Sequence, residues 1–330
     1  MDRVAEIVQQ ILPSPGPVAE FAEGRAPVNI AMIKYWGKRD AVLNLPMTGS
    51  LSVAIPELGT HTMLAPAEAD SISIAGEPQA AESAFAQRIS RFLDPFRRPG
   101  VPGFRVETTN SVPTAAGLAS SASGFAALTL ALDSLFSWRL RSTQLSVLAR
   151  VGSGSACRSV FPRGFVEWTR GEREDGLDSH AHRIADAWPG LCIGVITVSA
   201  GEKPISSREA MNRTVATSRL YREWPARVAA DLANCKAGIA ARDFHRFGQV
   251  AEDNALAMHA TMRDAEPPVD YALPDTHATI ASVHALRAAG CPVYLTMDAG
   301  PNVKLIYPES AESAIRAELP GLGTHRVFPA

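Results

Sequence analysis

Almost only small residues occupy positions 113–124, PTAAGLASSASG. Small side chains let a backbone approach an anion closely, and serine hydroxyls add hydrogen-bond donors. An apolar stretch follows, and if it forms a helix, its first N–H groups point toward the same anion. The segment lacks the lysine of a P-loop. It therefore indicates phosphate binding of another kind, with a tightly packed helix start as the alternative.

A second candidate site lies near the N-terminus, in IKYWGK, where Lys34, Tyr35 and Lys38 fall within one short stretch. Two cations and a phenol hydroxyl suit a diphosphate, whose oxygens accept charge-assisted hydrogen bonds. Solvated lysines at the end of a surface strand are the alternative. The stretch indicates an anion site only if other residues converge with it.

Glycines and serines also precede Arg158, in GSGSACRS at residues 152–159. Ser153 and Ser155 supply hydroxyls around a tight turn, and the guanidinium of Arg158 could bind a carboxylate through two parallel hydrogen bonds. A helix cap with a surface arginine is the alternative.

Asp298 ends an apolar segment just before a Gly-Pro turn, in TMDAGPN. Such an aspartate often only shapes the turn, but it could also present a carboxylate to a reacting hydroxyl at a cleft edge. Other titratable groups are less promising. Asp178, His180 and His182 lie in a polar connecting segment, and His259 lies on a predicted helix. We assign neither metal binding nor catalysis to them.

A mixture of helices and strands must position these residues. Segments rich in β-branched residues predict short strands at SLSVAI, THTMLA, SISIAG, FRVETTN, GFVEW, LCIGVI, YLTM and VKLIY. Helical spacing occurs after residue 120, at residues 83–97 and 207–263, and in STQLSVLARVG and HATIASVHALRAAG, which Gly290 ends. The order does not alternate regularly between strand and helix, so we expect an α+β fold.

The bulk composition restricts the class of protein. With 330 residues, of which 46% are hydrophobic, the chain can form one large or two smaller domains. The polar segment 172–189 predicts a boundary, giving domains of residues 1–188 and 189–330. A net charge of -2 argues against a general nucleic-acid binder, and no apolar run reaches the roughly 20 residues of a membrane span. Four scattered cysteines and an N-terminus without an apolar leader predict a cytoplasmic protein.

The small-residue segment resembles the phosphate-binding loop of the GHMP kinases, P-x-x-x-G-L-[GA]-S-S-[AS]. In that superfamily the loop holds the phosphates of ATP. The resemblance implies that ATP contacts the following residues: Pro113, Ala116, Gly117, Leu118, Ala119, Ser120, Ser121 and Ser123.

Together with IKYWGK, GSGSACRS and DAGPN in this order, the chain resembles the diphosphomevalonate decarboxylase family from about Arg25 to Ile306. That family implies a GHMP kinase fold, with an N-terminal domain like ribosomal protein S5, a ferredoxin-like C-terminal domain and an active site in the cleft between them. It also implies ATP and Mg²⁺ as cofactors and a homodimer. The implied reaction converts diphosphomevalonate and ATP into isopentenyl diphosphate, ADP, phosphate and carbon dioxide.

The same resemblance implies residue roles. Asp298 would orient or deprotonate a tertiary hydroxyl, Lys34 would stabilise the transferring phosphoryl group, and Arg158 would bind the substrate carboxylate. The segment KPISSREAM is similar to the bacterial form of the family. The implied substrate-binding residues are Tyr35, Lys38, Ser153, Ser155, Ser207 and Arg208.

Three residues depart from the family pattern. Thr48 stands where the family more often has asparagine, and Ala54 and Pro56 are atypical, so the lining near IKYWGK is expected to differ. Three alternatives remain open: a mevalonate 3-kinase, a decarboxylase of mevalonate 5-phosphate and a non-catalytic ligand sensor. The cations of IKYWGK and SSR favour the diphosphate enzyme, because a second phosphate needs them.

Overall fold

The computed structural model describes residues 2–14, 16–111, 120–199, 201 and 203–328. The strands are β1 (Ala22–Ile33), β2 (Lys38–Asp40), β3 (Leu45–Pro46), β4 (Ser50–Ala67), β5 (Ser71–Ile74), β6 (Glu77–Pro78), β7 (Gly103–Asn110), β8 (Phe165–Trp168), β9 (Ala181–Ala185), β10 (Leu191–Ile196), β11 (Tyr294–Met297), β12 (Val303–Pro308) and β13 (Gly323–Arg326). The helices are α1 (Arg3–Ile11), α2 (Ala84–Leu93), α3 (Ser120–Leu135), α4 (Ser142–Gly152), α5 (Ala156–Ser159), α6 (Ser207–Thr217), α7 (Trp224–Ala241), α8 (Phe244–Arg263), α9 (Pro274–Ala288) and α10 (Glu312–Glu318). Short 3-10 helices occupy Asp94–Phe96, Leu220–Glu223 and Glu309–Ala311.

The first sheet has the order β6-β5-β7-β4-β8-β9, and β1 also pairs with β4. The prediction of separate strands at SLSVAI and THTMLA is wrong, because β4 runs through both as one strand of 18 residues. Pro56 and Gly59, which lie between the two predicted strands, coincide with a register shift between Pro27 and Val28 of β1. A Cβ on Gly59 would lie 2.1 Å from the carbonyl oxygen of Ala26, so glycine permits close strand contact here.

Helix α3 packs across β1 and β4 of this sheet. Close contact is possible because Gly24 has no side chain, and a Cβ there would lie 2.0 Å from the carbonyl oxygen of Ala127. Helices α4 and α5 pack against α3 in turn. The small-residue segment of the sequence leads directly into α3, and its residues 112–119 lie outside the described part of the chain.

The second sheet has the order β11-β12-β10-β13 and all its pairs are antiparallel. The predicted strand, turn and strand of the C-terminal region are confirmed as β11, residues 298–302 and β12. Helix α9 begins at Pro274, earlier than HATIAS predicted, because the fixed φ of proline suits a first helical position. Gly290 follows the end of α9 with φ +91°, as its predicted capping role requires.

The connecting segment 172–189 is partly regular, because it contains β9, which pairs with β8. The first sheet thus ends at Ala185 and the second begins at Leu191. The two sheets share one buried cluster, so their packing is continuous. Its members from both sheets include Val28, Ile30, Val53, Ile193, Val195 and Ile306.

Helix α8 contacts both β1 and β11, one strand from each sheet. The two strands also meet directly, because the hydroxyl of Thr296 donates to the carbonyl of Ala31 at 3.3 Å. The C-terminal ends of β1 and β11 are thereby held side by side. Among the described helices, none is both long and apolar enough to cross a lipid bilayer.

Candidate active site

A cavity of about 330 Å³ opens where these two strand ends meet. Most predicted site residues in the described part of the chain line it: Lys34, Tyr35, Lys38, Ser121, Ser153, Ser155, Arg158, Ser207, Arg208 and Asp298. The remaining lining comes from Asn29, Ala31, Trp36, Asn44, Arg88, Gly154, Ser206, Met211, Met258 and Ala299. The lining therefore combines one carboxylate, several cations and a row of hydroxyls.

Asp298 is the first residue after β11, and its carboxylate lies between two lysines. Oδ1 is 3.1 Å from Nζ of Lys34, and Oδ2 is 3.3 Å from Nζ of Lys304. The lysine side chains are only 2% and 1% exposed, against 25% for Asp298. Burial alone would raise the pKa of Asp298, but the two ammonium groups hold it well below its usual range. The carboxylate is therefore ionised at neutral pH and is a weak base.

Lys34 directly follows β1, and hydrogen bonds hold both its backbone and its ammonium group. Its Nζ also donates to the carbonyl of Ala31 at 2.7 Å, and its backbone N–H donates to Oδ1 of Asn254 on α8 at 2.8 Å. Burial lowers the pKa of Lys34 to about 8, although Asp298 opposes the shift. The alternative of a solvated surface lysine is wrong for this residue.

Arg158 lies on the short helix α5 and is buried, so the alternative of a surface arginine is also wrong. Its Nε and Nη2 donate to Oδ1 of Asn29 at 3.3 and 3.2 Å, and its Nη1 donates to the hydroxyl of Ser50. The amide of Asn29 is itself held by the hydroxyl of Ser159 at 2.6 Å. All these partners of the guanidinium are neutral, so its charge is available to an anionic ligand.

Three further cations converge at another part of the lining, namely Lys38, Arg88 and Arg208. Burial and the two arginines lower the pKa of Lys38 to about 8, and burial together with Arg208 lowers that of Arg88 to about 10. Mutual destabilisation of like charges is expected of a site that binds a polyanion. Arg208 stands in the first turn of α6, which Ser206 caps, so the N–H groups of that helix add to the positive field.

Tyr35 contributes a phenol hydroxyl to the cavity lining. Among the described residues its buried OH has no hydrogen-bond partner, and its ring packs against Trp168 at 4.7 Å between centroids. Burial raises the pKa of Tyr35 above its usual range, so the hydroxyl stays protonated and can donate. Gly154 makes room for it, since a Cβ there would lie 2.8 Å from the phenol oxygen.

The predicted ATP-contact residues are only partly within the described chain. Ser121 lines the cavity, and its hydroxyl lies 3.5 Å from that of Ser153. Ser120 begins α3. Ser123 is fully buried, with 2.8 Å between its hydroxyl and that of Thr60, and its contact with ATP stays a prediction. Outside the described residues lie Pro113, Ala116, Gly117, Leu118 and Ala119.

Sequence reasoning missed several residues of the site. Lys304 contacts Asp298 as described, Arg88 lines the cavity, and Nε2 of His259 lies 3.1 Å from the carbonyl oxygen of Asp298. Burial and the charge of Lys34 lower the pKa of His259 to about 4, so this ring is neutral and donates through Nε2. His259 is packed, as expected, but it packs against the backbone of the central carboxylate. No local motif marks these residues: Lys304 lies within an apolar strand, and His259 is 39 positions from its partner.

The rejected metal candidates stay outside the site. The carboxylate of Asp178 accepts backbone N–H groups of Glu172 and Arg173, and the described residues contain no group of three or more metal-ligating side chains. The departure at Thr48 also lies away from the cavity lining. Thr48 is buried next to the IKYWGK segment without lining the cavity.

Two models of known protein families match the chain, one in its N-terminal half and one in its C-terminal half. Residues 26–181 match the diphosphomevalonate decarboxylase-like N-terminal domain, and residues 193–320 match the mevalonate 5-diphosphate decarboxylase C-terminal domain. The chain belongs to the diphosphomevalonate decarboxylase family. The expected family is therefore confirmed.

Individual members of this family are similar to the chain over most of its length. The diphosphomevalonate decarboxylase of Aspergillus fumigatus is 40% identical over 316 residues, which cover 88% of this chain and 77% of the relative. The crystal structure of mevalonate diphosphate decarboxylase from Staphylococcus aureus is 37% identical, with a TM-score of 0.88 over 93% of this chain and 96% of the other. A second structure, MDDEF in complex with MVAPP, AMPPCP and magnesium, is 38% identical, with a TM-score of 0.85 over 94% of this chain and 97% of the other. The predicted α+β fold of the GHMP kinases is confirmed by these structures.

Proposed function

We infer that this chain catalyses the ATP-dependent decarboxylation of (R)-5-diphosphomevalonate to isopentenyl diphosphate, with release of ADP, phosphate and carbon dioxide. One observation carries the inference. A single cavity brings together an ionised aspartate flanked by lysines, an arginine without a carboxylate partner among the described residues, and a separate cluster of three cations. These groups match a hydroxyl, a carboxylate and a diphosphate on one substrate.

The order of chemical events explains why all three groups are needed. A tertiary hydroxyl is a poor leaving group, and transfer of the γ-phosphoryl group of ATP to its oxygen makes it a good one. Loss of phosphate, with the C–O electron pair, leaves positive charge on that carbon. The C–C bond to the neighbouring carboxylate then supplies its electron pair to form the alkene, and carbon dioxide departs.

We propose that Asp298 orients the hydroxyl by accepting a hydrogen bond, because its two ammonium neighbours make it a weak base. A loose phosphoryl transfer depends mainly on position and electrostatics, so the hydroxyl proton need not leave before the P–O bond to ADP breaks, and it passes to an oxygen of the transferred phosphoryl group as the new P–O bond forms. Lys34, which reaches the cavity, stabilises charge on the transferring group. Asp298 and Lys34 are therefore the proposed catalytic residues at the hydroxyl.

Substrate binding is divided between two ends of the cavity. We assign the carboxylate to Arg158 and Ser153, since the guanidinium is already oriented by the neutral partners Asn29 and Ser50. We assign the diphosphate to the cation cluster and to the neighbouring hydroxyls. The residues of that second end are Tyr35, Lys38, Arg88, Ser155, Ser207 and Arg208.

ATP is assigned to the start of α3, where Ser120 and Ser121 stand beside the helix N-terminus. Mg²⁺ fits this arrangement, because it prefers oxygen ligands, retains several waters and commonly binds through phosphates with few protein ligands. The hydroxyl of Ser121, at the cavity edge, is the described group best placed to hold it. When bound, the ion would neutralise charge on the phosphates of ATP.

We also propose the larger organisation of the protein. Residues 1–188 would form the ATP-binding domain and residues 189–330 the domain that supplies Asp298. We further propose a homodimer in the cytoplasm, where the four cysteines, all unpaired, would remain reduced. Sedimentation equilibrium of the purified chain would test the dimer, and a mass of one chain at all concentrations would contradict it.

A turnover assay separates this function from its alternatives. Purified protein is incubated with ATP, Mg²⁺ and either diphosphomevalonate or mevalonate 5-phosphate, while ADP and carbon dioxide are measured together. We expect equal amounts of both products with the diphosphate. ADP without carbon dioxide would indicate a 3-kinase, preference for the monophosphate would indicate the other decarboxylase, and no ADP with any mevalonate derivative would indicate a sensor.

A further inference from the structure

Lys304 is a buried cation that the proposed mechanism does not use. It is the second residue of β12, an inner strand of the second sheet, and its side chain is 1% exposed. An ammonium group is costly to remove from water unless a counter-ion and hydrogen bonds replace the solvent. Its presence in a strand whose other residues are apolar or aromatic therefore calls for a specific partner.

The strand pattern shows where that partner lies. Val303 and Leu305 pack into the apolar cluster on one face of the sheet, so Lys304 between them points to the opposite face. Its Nζ lies 3.3 Å from Oδ2 of Asp298 and 3.4 Å from the carbonyl oxygen of Asn302. Asp298 lines the cavity and Lys304 does not, so the carboxylate stands between this lysine and any ligand.

The pairing has an electrostatic consequence for a cavity that binds polyanions. Asp298 alone would place a negative charge beside the anionic ligands, and Lys34 alone would only neutralise it. With Lys304 the group of three side chains carries a net positive charge. The two lysines also contact different oxygens, which fixes the plane of the carboxylate as well as its charge.

We propose that Lys304 is a positioning residue, which holds Oδ2 of Asp298 so that the carboxylate stays ionised and correctly oriented toward the reacting hydroxyl. This inference rests on the proposed function, but it concerns a residue that touches no substrate. Without Lys304, the carboxylate would retain one ammonium contact and could turn about its side-chain bonds. Its proton affinity would also rise.

The test compares Lys304→Met, which keeps an unbranched chain of similar length, with Lys304→Arg, which keeps the charge. We expect Lys304→Met to lower kcat on the order of 10- to 100-fold, because misplacement of a catalytic group is costly. KM for the diphosphate substrate should change by less than about threefold, since the residue does not contact it. The acid limb of kcat should lie at higher pH than in the wild type.

Lys304→Arg should return the acid limb toward the wild-type position. Lys236→Met is the matched control, because Lys236 also pairs with a carboxylate, that of Glu167 at 3.0 Å, but lies outside the cavity lining. This control should leave kcat and the pH profile unchanged. Thermal unfolding and circular dichroism would establish that each variant is folded.

Two results would overturn the proposal: a folded Lys304→Met variant with wild-type kcat, or a loss of kcat with an unmoved acid limb, which would indicate a merely structural role. If Lys304→Met does not fold, Lys304→Gln, which keeps an N–H donor, carries the same prediction for the acid limb. Failure of the proposed function is a separate result, since the wild-type protein would then not turn over diphosphomevalonate.

Discussion

Replacing Asp298 by asparagine keeps the shape of the side chain and removes its charge, which leaves two buried ammonium groups without a carboxylate. At the observed separations of 3.1 and 3.3 Å, each attraction amounts to about 5 kcal/mol with an effective dielectric constant of about 20. Desolvation of the ions offsets part of this gain. Because measured costs of removing one partner from a buried pair are about 3–5 kcal/mol, we expect Asp298→Asn to lower the free energy of unfolding by that amount at neutral pH.

The pH dependence of this loss has a definite sign. Without Asp298, burial lowers the pKa of Lys34 in the folded variant further than in the wild type, while the unfolded chain keeps the ordinary value. The unfolded state then binds more protons, so stability of the variant relative to wild type rises with pH. The difference between wild type and variant should therefore be smaller at about pH 9 than at about pH 7.

A double-mutant cycle isolates the charge effect. Adding Lys304→Met to Asp298→Asn removes one of the two unpaired cations and should recover part of the stability, with a coupling of about 0.5–3 kcal/mol. Urea unfolding gives the free energies, and the assay for ADP and carbon dioxide gives activity. Turnover should fall by roughly 10²- to 10⁴-fold in Asp298→Asn and should not recover in the double variant. Strictly additive free energies, or an equal loss at both pH values, would refute the reasoning.

Three other predictions concern the diphosphate end of the cavity. Arg208→Ala should raise KM for the diphosphate substrate by roughly 10- to 100-fold, as loss of a charge-assisted hydrogen bond implies, and should affect the monophosphate much less; an equal effect on both would contradict the assignment. Above about pH 8, kcat/KM should fall as Lys34 and Lys38 lose their protons, and the variant Lys38→Arg, which stays charged, should make that fall less steep. Gly154→Ala would place a Cβ 2.8 Å from the phenol oxygen of Tyr35 and should raise the same KM, whereas the control Gly321→Ala, with open space around it, should not.

The sequence revealed those parts of the site that lie close together along the chain. Lys34, Tyr35 and Lys38 share one short segment, and Ser153 and Arg158 share another, so their types and spacing already indicated anion binding. Residue spacing alone could not show that the segments meet, because one follows β1 and the other joins α4 to α5, more than 100 residues further along the chain. The family resemblance supplied that step.

Residues that act through long-range contacts were not predictable in this way. Arg88 lies in a helix whose sequence shows only amphipathic spacing, and His259 reaches a carbonyl 39 positions away. Ser123 directly follows the GHMP loop pattern, and its hydroxyl lies 2.8 Å from that of Thr60, so its contact with ATP stays a prediction. A motif specifies which residues are present, whereas the fold sets the face of the helix on which each one lies.

The distribution of charge explains why composition gave no sign of an anion-binding protein. The whole chain carries a net charge of -2, yet the cavity gathers five cationic side chains around a single carboxylate, namely those of Lys34, Lys38, Arg88, Arg158 and Arg208. Burial, and after it the like charges nearby, lowers the pKa of Lys34 and Lys38, so their charged forms are costly in the absence of an anion. A bound polyanion relieves that cost, so part of the binding energy is already present in the unliganded site. The ionised Asp298 is tolerated in this field because Lys34 and Lys304 hold it from both sides, and the same two contacts make it better suited to orient a hydroxyl than to remove its proton.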